Sequence, residues 1–241
     1  MQTSGWKRVV AVAWDRRSDP GRPGGVRLPF ADRAEGGRIL AERIGEVELV
    51  DPVVLALPRG GVAVGFEVAR ALDAPLDVLV TRKIGYPHQP ELGVGAIAEG
   101  GEPVYDEYLL RRLNLTPADL VDTVAAEREE LSRRVEAYRD VRALPAVEGR
   151  DVIVVDDGLA TGGTARAALR AIRERRPRRL LLAVPVSAAD TMEAMHKEAD
   201  EVVIVATPPD FRAVGQWYRA FDQLTDEDVI ELLRQAGVER R

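Results

Sequence analysis

The sequence predicts an α/β protein built on a doubly wound, mainly parallel sheet. Short aliphatic and β-branched runs recur at residues 53–57, 77–81, 152–155, 179–184 and 201–205. They are too short for helices and lack a polar face, as expected of strands buried on both sides. Longer stretches with helical spacing lie between them, and this alternation builds parallel sheets. The runs at 53–57 and 152–155 each enter a Gly-containing turn and then a helical stretch, an arrangement that aims backbone N–H groups at an anion.

With 241 residues, the chain holds one large domain, or a domain with a smaller appendage. Its 46% hydrophobic and 31% charged residues supply both a core and a charged surface. It contains no cysteine, which excludes disulfides, thiolate metal sites and a cysteine nucleophile. His88 and His196 are far apart in sequence, so a zinc site is not expected. The formal charge of −6 argues against a protein that coats nucleic acid. No apolar run reaches membrane-spanning length. Lys7-Arg8 precede the short run Val9 to Trp14, which ends in Asp15-Arg16-Arg17 without a clear cleavage site. A cytoplasmic protein is expected.

Residues 1–29 read as an appendage or linker, because Asp19-Pro20-Gly21-Arg22-Pro23-Gly24-Gly25 is rich in breakers; Val9 to Trp14 is a candidate edge strand. The core is expected over 30–207. Leu40 and Ile44 share a helical face within Arg38 to Ile44, Asp51-Pro52 ends that helix, and Val53 to Leu57 is a first strand. Pro58-Arg59-Gly60-Gly61 leads to a helix from Val62 to Leu72. A second strand, Asp77 to Thr81, runs into Arg82-Lys83. Residues 84–106 carry many glycines and prolines and read as a long irregular loop, with Gly93 to Ala98 and Pro103 to Tyr105 able to pair as a small hairpin. Two helices follow. Thr116-Pro117-Ala118-Asp119 is a helix start, with Thr as cap, Pro at the first position and an acid three residues after the cap. Its apolar stripe is Leu120, Val124, Leu131, Val135 and Tyr138, which is core packing. Later come a strand at 179–184, a helix capped by Ser187, a strand at 201–205, and a last helix capped by Thr225 with Val229, Leu232 and Leu233. The basic run Arg173 to Arg179 reads as a solvated helix end, where cations are favourable, with RNA contact the minor alternative.

Chemistry concentrates in Val152-Ile153-Val154-Val155-Asp156-Asp157-Gly158-Leu159-Ala160-Thr161-Gly162-Gly163-Thr164. A buried strand delivers two carboxylates to the sheet edge where open α/β folds bind ligands. A Thr/Gly loop then supplies N–H and hydroxyl donors at a helix N-terminus, a phosphate cradle. Carboxylates beside such a cradle ask for a ligand with both hydroxyls and phosphate, a sugar phosphate. The segment resembles the binding motif of type I phosphoribosyltransferases, which use 5-phosphoribosyl 1-diphosphate (PRPP). Across the whole chain the likeness is to bacterial proteins with a phosphoribosyltransferase domain, and the motif is worded like that of the adenine enzymes. The 6-oxopurine enzymes of the family carry an Asp where Ala160 stands, which leaves the acceptor open.

The resemblance implies a role for each matching position. Asp156 and Asp157 would hold the ribose hydroxyls and approach the magnesium bound with the diphosphate. Thr161, Gly162, Gly163 and Thr164 would wrap the 5-phosphate, with Ala160 beside them in the PRPP site. Arg59, Gly60 and Gly61 match the diphosphate turn, where many members have a cis peptide, and Arg82 and Lys83 match the Arg-Lys pair that serves the diphosphate. Residues 84–106 correspond to the flexible loop that closes over the site. Within it, Glu91, Glu99 and His88 are either proton-handling groups or plain loop surface. Residues 208–241 correspond to a small C-terminal hood, where Phe211, Trp217 and Tyr218 either stack on an acceptor base or pack the tail onto the core. The implied reaction moves the phosphoribosyl group to a nitrogenous base and releases diphosphate, in a homodimer. The alternatives are a non-catalytic PRPP-binding regulator and, further off, a hydrolase, which the absence of a G-x-S-x-G elbow disfavours.

Overall fold

Alternation along each central strand sends side chains to two faces, and both faces are covered. The computed structural model describes residues 9–11, 26–139 and 143–237. Strands β1 (Val9–Ala11), β2 (Pro52–Ala56), β3 (Leu76–Val78), β7 (Asp151–Val155), β8 (Arg179–Val186) and β9 (Glu201–Ala206) form one parallel sheet in the order β1-β9-β8-β7-β2-β3. Val9–Ala11 is thus the expected edge strand; the remainder of residues 1–25, including the breaker-rich stretch, lies outside the described residues.

Val54, Ala56, Ile153, Val155, Leu181 and Val203 pack with α1 (Arg33–Ile44), α2 (Gly60–Leu72), α4 (Val121–Arg139) and α7 (Asp226–Gln235). Val53, Leu55, Val152, Val154, Leu182 and Ile204 pack with α5 (Gly163–Arg173) and α6 (Ala189–Met195) on the opposite face. The doubly wound α/β expectation holds. The chain steps from β2 outward to β3, and in the opposite sense from β7 through β8 to β9. The winding therefore reverses between the neighbouring strands β2 and β7, which is where such sheets open a ligand crevice.

Residues 84–106 differ from the irregular loop expected of them. β4 (Thr81–Tyr86), β5 (Gln89–Ala98) and β6 (Val104–Tyr105) form a separate antiparallel sheet. The small pairing of 93–98 with 103–105 is present, through Gly95↔Tyr105 and Ala96↔Val104. The longer β4–β5 hairpin was obscured by glycines that serve it. At Gly85 a Cβ would lie 2.5 Å from the Pro90 carbonyl oxygen, and at Gly93 2.7 Å from the Lys83 stem. Arg82 and Lys83 accordingly lie inside β4 rather than at the end of a parallel strand. Ala96 and Ala98 pack this sheet onto Ala167 and Ala171 of α5.

α3 (Glu107–Leu113) precedes the Thr116 start, which carries the expected capping box but opens as a 3-10 turn over Pro117–Leu120 before α4. Ser187 does not cap α6: the cap position is Ala188, and the buried Ser187 hydroxyl donates to the Ala188 carbonyl. The basic run is paired rather than merely solvated, with Arg173 on Asp200, Arg176 on Glu148, Arg178 on Asp151, and Arg179 on Asp151 and Glu201.

Candidate functional site: the carboxylate pair at the sheet reversal

β2 and β7 end side by side, with Ala56 opposite Val155 and the Leu57 N–H donating to the Val155 carbonyl at 2.8 Å. Asp156 and Asp157 follow β7 directly. Beyond β2 the Pro58–Arg59 peptide is cis, Arg59 occupies the cap position of α2, and Gly60 and Gly61 form the helix's first turn. The two turns touch. A Cβ on Gly60 would lie 1.9 Å from Asp157 Oδ2, and one on Gly61 would lie 2.8 Å from the Val155 carbonyl oxygen and 2.9 Å from Asp156 Cα. The absence of side chains at 60 and 61 is what lets the acid pair sit against the N-terminus of α2, where free N–H groups and the helix dipole favour negative charge.

The Asp157 N–H donates to Asp156 Oδ1 at 2.8 Å, and Arg33 Nε donates to Asp157 Oδ2 at 2.8 Å. Burial, and then the neighbouring Asp157 charge, push the Asp156 carboxyl well above its ordinary range. Burial also raises Asp157, and the Arg33 guanidinium opposes the rise. The Tyr218 hydroxyl donates to the Asp157 carbonyl at 2.6 Å, and burial followed by the Asp157 charge raises its pKa too.

The loop after the acids is held from beneath. The Leu159 N–H donates to Val186 O at 2.9 Å, the Ala188 N–H to Leu159 O at 3.0 Å, and the Thr191 hydroxyl to Ala160 O at 2.5 Å. Gly162, at φ +71°, caps α5 in the left-handed region, and a Cβ there would lie 2.8 Å from Thr191 Cγ2. Ala160 and Thr161 are exposed, while Gly163 and Thr164 are half-buried in the first turn of α5. First-turn N–H groups lack helical partners and face outward with the dipole, so this loop can receive a phosphate.

The remaining predicted residues are spread more widely. Arg59 is half-buried, and its side chain makes no ion pair or hydrogen bond among the described residues. Arg82 Nε pairs with Glu127 of α4 at 2.7 Å, and Lys83 Nζ donates to the Glu91 carbonyl across the hairpin at 2.7 Å. Glu91 is exposed near the hairpin tip, where His88 meets Tyr86 edge to face. Glu99 is bound in an ion pair with the fully buried Arg139. In the C-terminal segment, Phe211 and Trp217 stack on each other at 6.2 Å, whereas Tyr218 is buried between Phe30 and Phe221. The 3-10 turn Val214–Trp217 rests on the acid turn, since a Cβ on Gly158 would meet Val214 at 2.6 Å. Cavities of 680 Å³, beside α2 and Pro75, and 490 Å³, between β5 and α4, lie apart from the acid pair.

Sequence reading missed Arg33, Phe221 and Thr191. Arg33 did leave a signal, because it follows the cap Asp32 and so stands at the positive end of a helix, where a cation is disfavoured without a partner. Nothing local marks Thr191, whose role comes from a loop 31 residues away.

The two carboxylates suit magnesium that arrives with a diphosphate. Magnesium is commonly bound by one or two carboxylates together with substrate phosphates, and the described residues contain no group of three or more acidic, His or Cys side chains able to hold a metal unaided.

A family model described as a phosphoribosyl transferase domain matches residues 32–216. A Mycobacterium tuberculosis (strain H37Rv) protein named "Putative phosphoribosyl transferase" is 45% identical over 207 residues, covering 86% of this chain and 47% of that protein. The chain therefore spans about half the length of the mycobacterial relatives it matches. A uracil phosphoribosyltransferase of Lactobacillus gasseri is 30% identical over 165 residues, covering 66% of this chain and 75% of the enzyme. A crystal structure of a Thermus thermophilus protein superposes with a TM-score of 0.73 at 46% identity, covering 86% of this chain and 98% of the other. No helix among the described residues is long and apolar enough to cross a membrane.

Proposed function

This chain belongs to the phosphoribosyl transferase domain family, and we propose that it moves the 5-phosphoribosyl group of PRPP to a nitrogenous base and releases diphosphate. The carrying observation is the contact of two motifs distant in sequence: the Gly60 turn at the start of α2 closes on the Asp157 carboxylate after β7. This contact supports reading the acid pair as a hydroxyl-binding group beside an anion-binding helix start, with Thr161 to Thr164 on α5 as a second phosphate cradle. That set of functions suits a ribose with phosphates at both ends.

In this reading Asp156 and Asp157 accept the ribose hydroxyls, and Thr161, Gly162, Gly163 and Thr164 hold the 5-phosphate, with Ala160 lining the PRPP site beside them. Arg59, with the N–H groups of Gly60 and Gly61, receives the diphosphate, and Arg82 and Lys83 add positive charge from β4. Asp156 and Asp157 are the residues that would hold a magnesium ion arriving with the diphosphate, and such an ion would supply positive charge to the leaving group. Displacement at the anomeric carbon builds positive charge on the ribose, which the acid pair stabilises by preorganised carboxylates rather than by covalent chemistry. The hairpin of β4 and β5 and the segment around Trp217 exclude water that would hydrolyse the donor. Glu91, whose carboxylate is exposed, is the better candidate for the acceptor proton, since Glu99 is committed to Arg139.

The test is diphosphate release from PRPP and magnesium with a panel of purine, pyrimidine and nicotinate-type bases, uracil first because of the relatives named above. Release stimulated by one base supports the transferase and identifies its acceptor. PRPP binding without release for any base would instead support a regulatory protein that reads PRPP. Absence of PRPP binding would remove the proposal.

A further inference from the structure

We propose that Arg33 is a positioning residue that aims the Asp157 carboxylate for PRPP and ties that aim to the seating of residues 218–222. The inference rests on the PRPP reading of the acid pair. Arg33 is fixed from three directions. Nε donates to Asp157 Oδ2 at 2.8 Å, Nη1 donates to the Asp222 carbonyl at 2.8 Å, and the guanidinium lies over the Phe221 ring, 3.8 Å from its centroid. Phe221 in turn stacks on Tyr218 at 5.2 Å, and the Tyr218 hydroxyl donates to the Asp157 carbonyl. The C-terminal segment thus holds Asp157 twice, once by its backbone and once by its carboxylate through Arg33.

The contact is shielded, with the Arg33 and Asp157 side chains only 11% and 14% exposed. A carboxylate left there without its cation would face Asp156 in a partly dry setting and turn away. Arg33 also engages one carboxylate oxygen only, which leaves Oδ1 to accept a hydroxyl. That geometry orients the acid rather than blocking it. A lysine keeps the charge but cannot donate in two directions while lying flat on an aromatic ring.

Calorimetric PRPP titration of the full chain with magnesium decides the matter, for the wild type, Arg33→Ala, Arg33→Lys, Phe221→Leu and the Ala/Leu double variant. Arg33→Ala is expected to weaken PRPP binding about tenfold or more, Arg33→Lys by an intermediate factor, and Phe221→Leu by about threefold through loss of the stacked face. Since Phe221 acts through Arg33, the double variant is expected to bind no more weakly than Arg33→Ala alone. Equal or tighter PRPP binding by Arg33→Ala, or multiplying effects in the double variant, overturns the proposal. If Arg33→Ala does not fold, wild-type affinity in both Arg33→Lys and Phe221→Leu overturns it. A wild type that fails to bind PRPP rejects the underlying functional reading, and this inference with it, and is recognised by the silent wild-type titration.

Discussion

Gly60 and Gly61 are neighbours with different reasons for lacking a side chain. At Gly61 the atoms in the way are backbone, Val155 O and Asp156 Cα, so a methyl group would push α2 off β7. Gly61→Ala is expected to cost about 1–3 kcal/mol of stability, the usual toll of overpacking, read by denaturant unfolding. At Gly60 the first obstacle is Asp157 Oδ2 at 1.9 Å, the end of a side chain that can swing aside. Gly60→Ala is therefore expected to lose PRPP affinity about tenfold, because the carboxylate is displaced from Arg33 and from the ligand, with a loss of stability that comes from the broken ion pair and not from moving α2. A large drop in melting temperature with PRPP affinity intact would refute that division of roles. The sequence identified both glycines as parts of an anion-binding turn. It did not reveal that one of them makes room for an acid 97 positions later, because the clash distance depends on how β2 and β7 pair. Arg33 shows the same limit, since its misplacement at a helix start is local information and its partner is not.

Elements whose reasons are local were legible. Of the predicted stripe, Leu120 in the 3-10 turn and Val124, Leu131 and Tyr138 of α4 are buried, with Val135 half-buried beside them, and α7 starts at Thr225 with a full capping box to Asp228. The cap holds in place a helix that delivers Val229 and Leu233 to the core and lets Asp226 accept the Tyr138 hydroxyl at 2.5 Å. Thr225→Ala is expected to cost about 1 kcal/mol, a fall of roughly 2–4 °C in melting temperature for a chain of this size. PRPP affinity should be unchanged, because the Thr225 N–H and hydroxyl bond with Asp228 of its own helix; a shift in affinity would show that α7 acts on the site. The β4–β5 hairpin was illegible for the opposite reason. Its glycines read as breakers, yet Gly93 accommodates the Lys83 stem and Gly85 the Pro90 carbonyl across the hairpin, with register shifts between Ile84 and Tyr86. Such contacts are made between strands, and no period-2 alternation survives to announce them.

At the scale of the whole molecule, the reversal of winding between β2 and β7 selects the crevice before any side chain is considered. Placing two carboxylates in that crevice opposes the burial that stabilises the rest of the sheet. Burial and the Asp157 charge raise the Asp156 pKa, so the native state holds this proton more tightly than the unfolded chain does. Stability of the metal-free, ligand-free protein should therefore fall as pH rises from the ordinary carboxylate range through the raised value. No penalty exists below the unfolded pKa, and the full penalty is present above the native one. Asp156→Asn removes the charge while keeping the shape. It is expected to be more stable than the wild type at neutral pH by roughly 0.5–2 kcal/mol, as for other substitutions that relieve a functional site, with PRPP binding lost or greatly weakened. The advantage should shrink towards acid, where the wild-type carboxyl is protonated as well. Melting curves of both proteins from mildly acid to neutral pH, in the presence of a chelator, measure that divergence. A variant less stable than the wild type at neutral pH, or a difference independent of pH, would mean that the acid pair is held by structure rather than in spite of it.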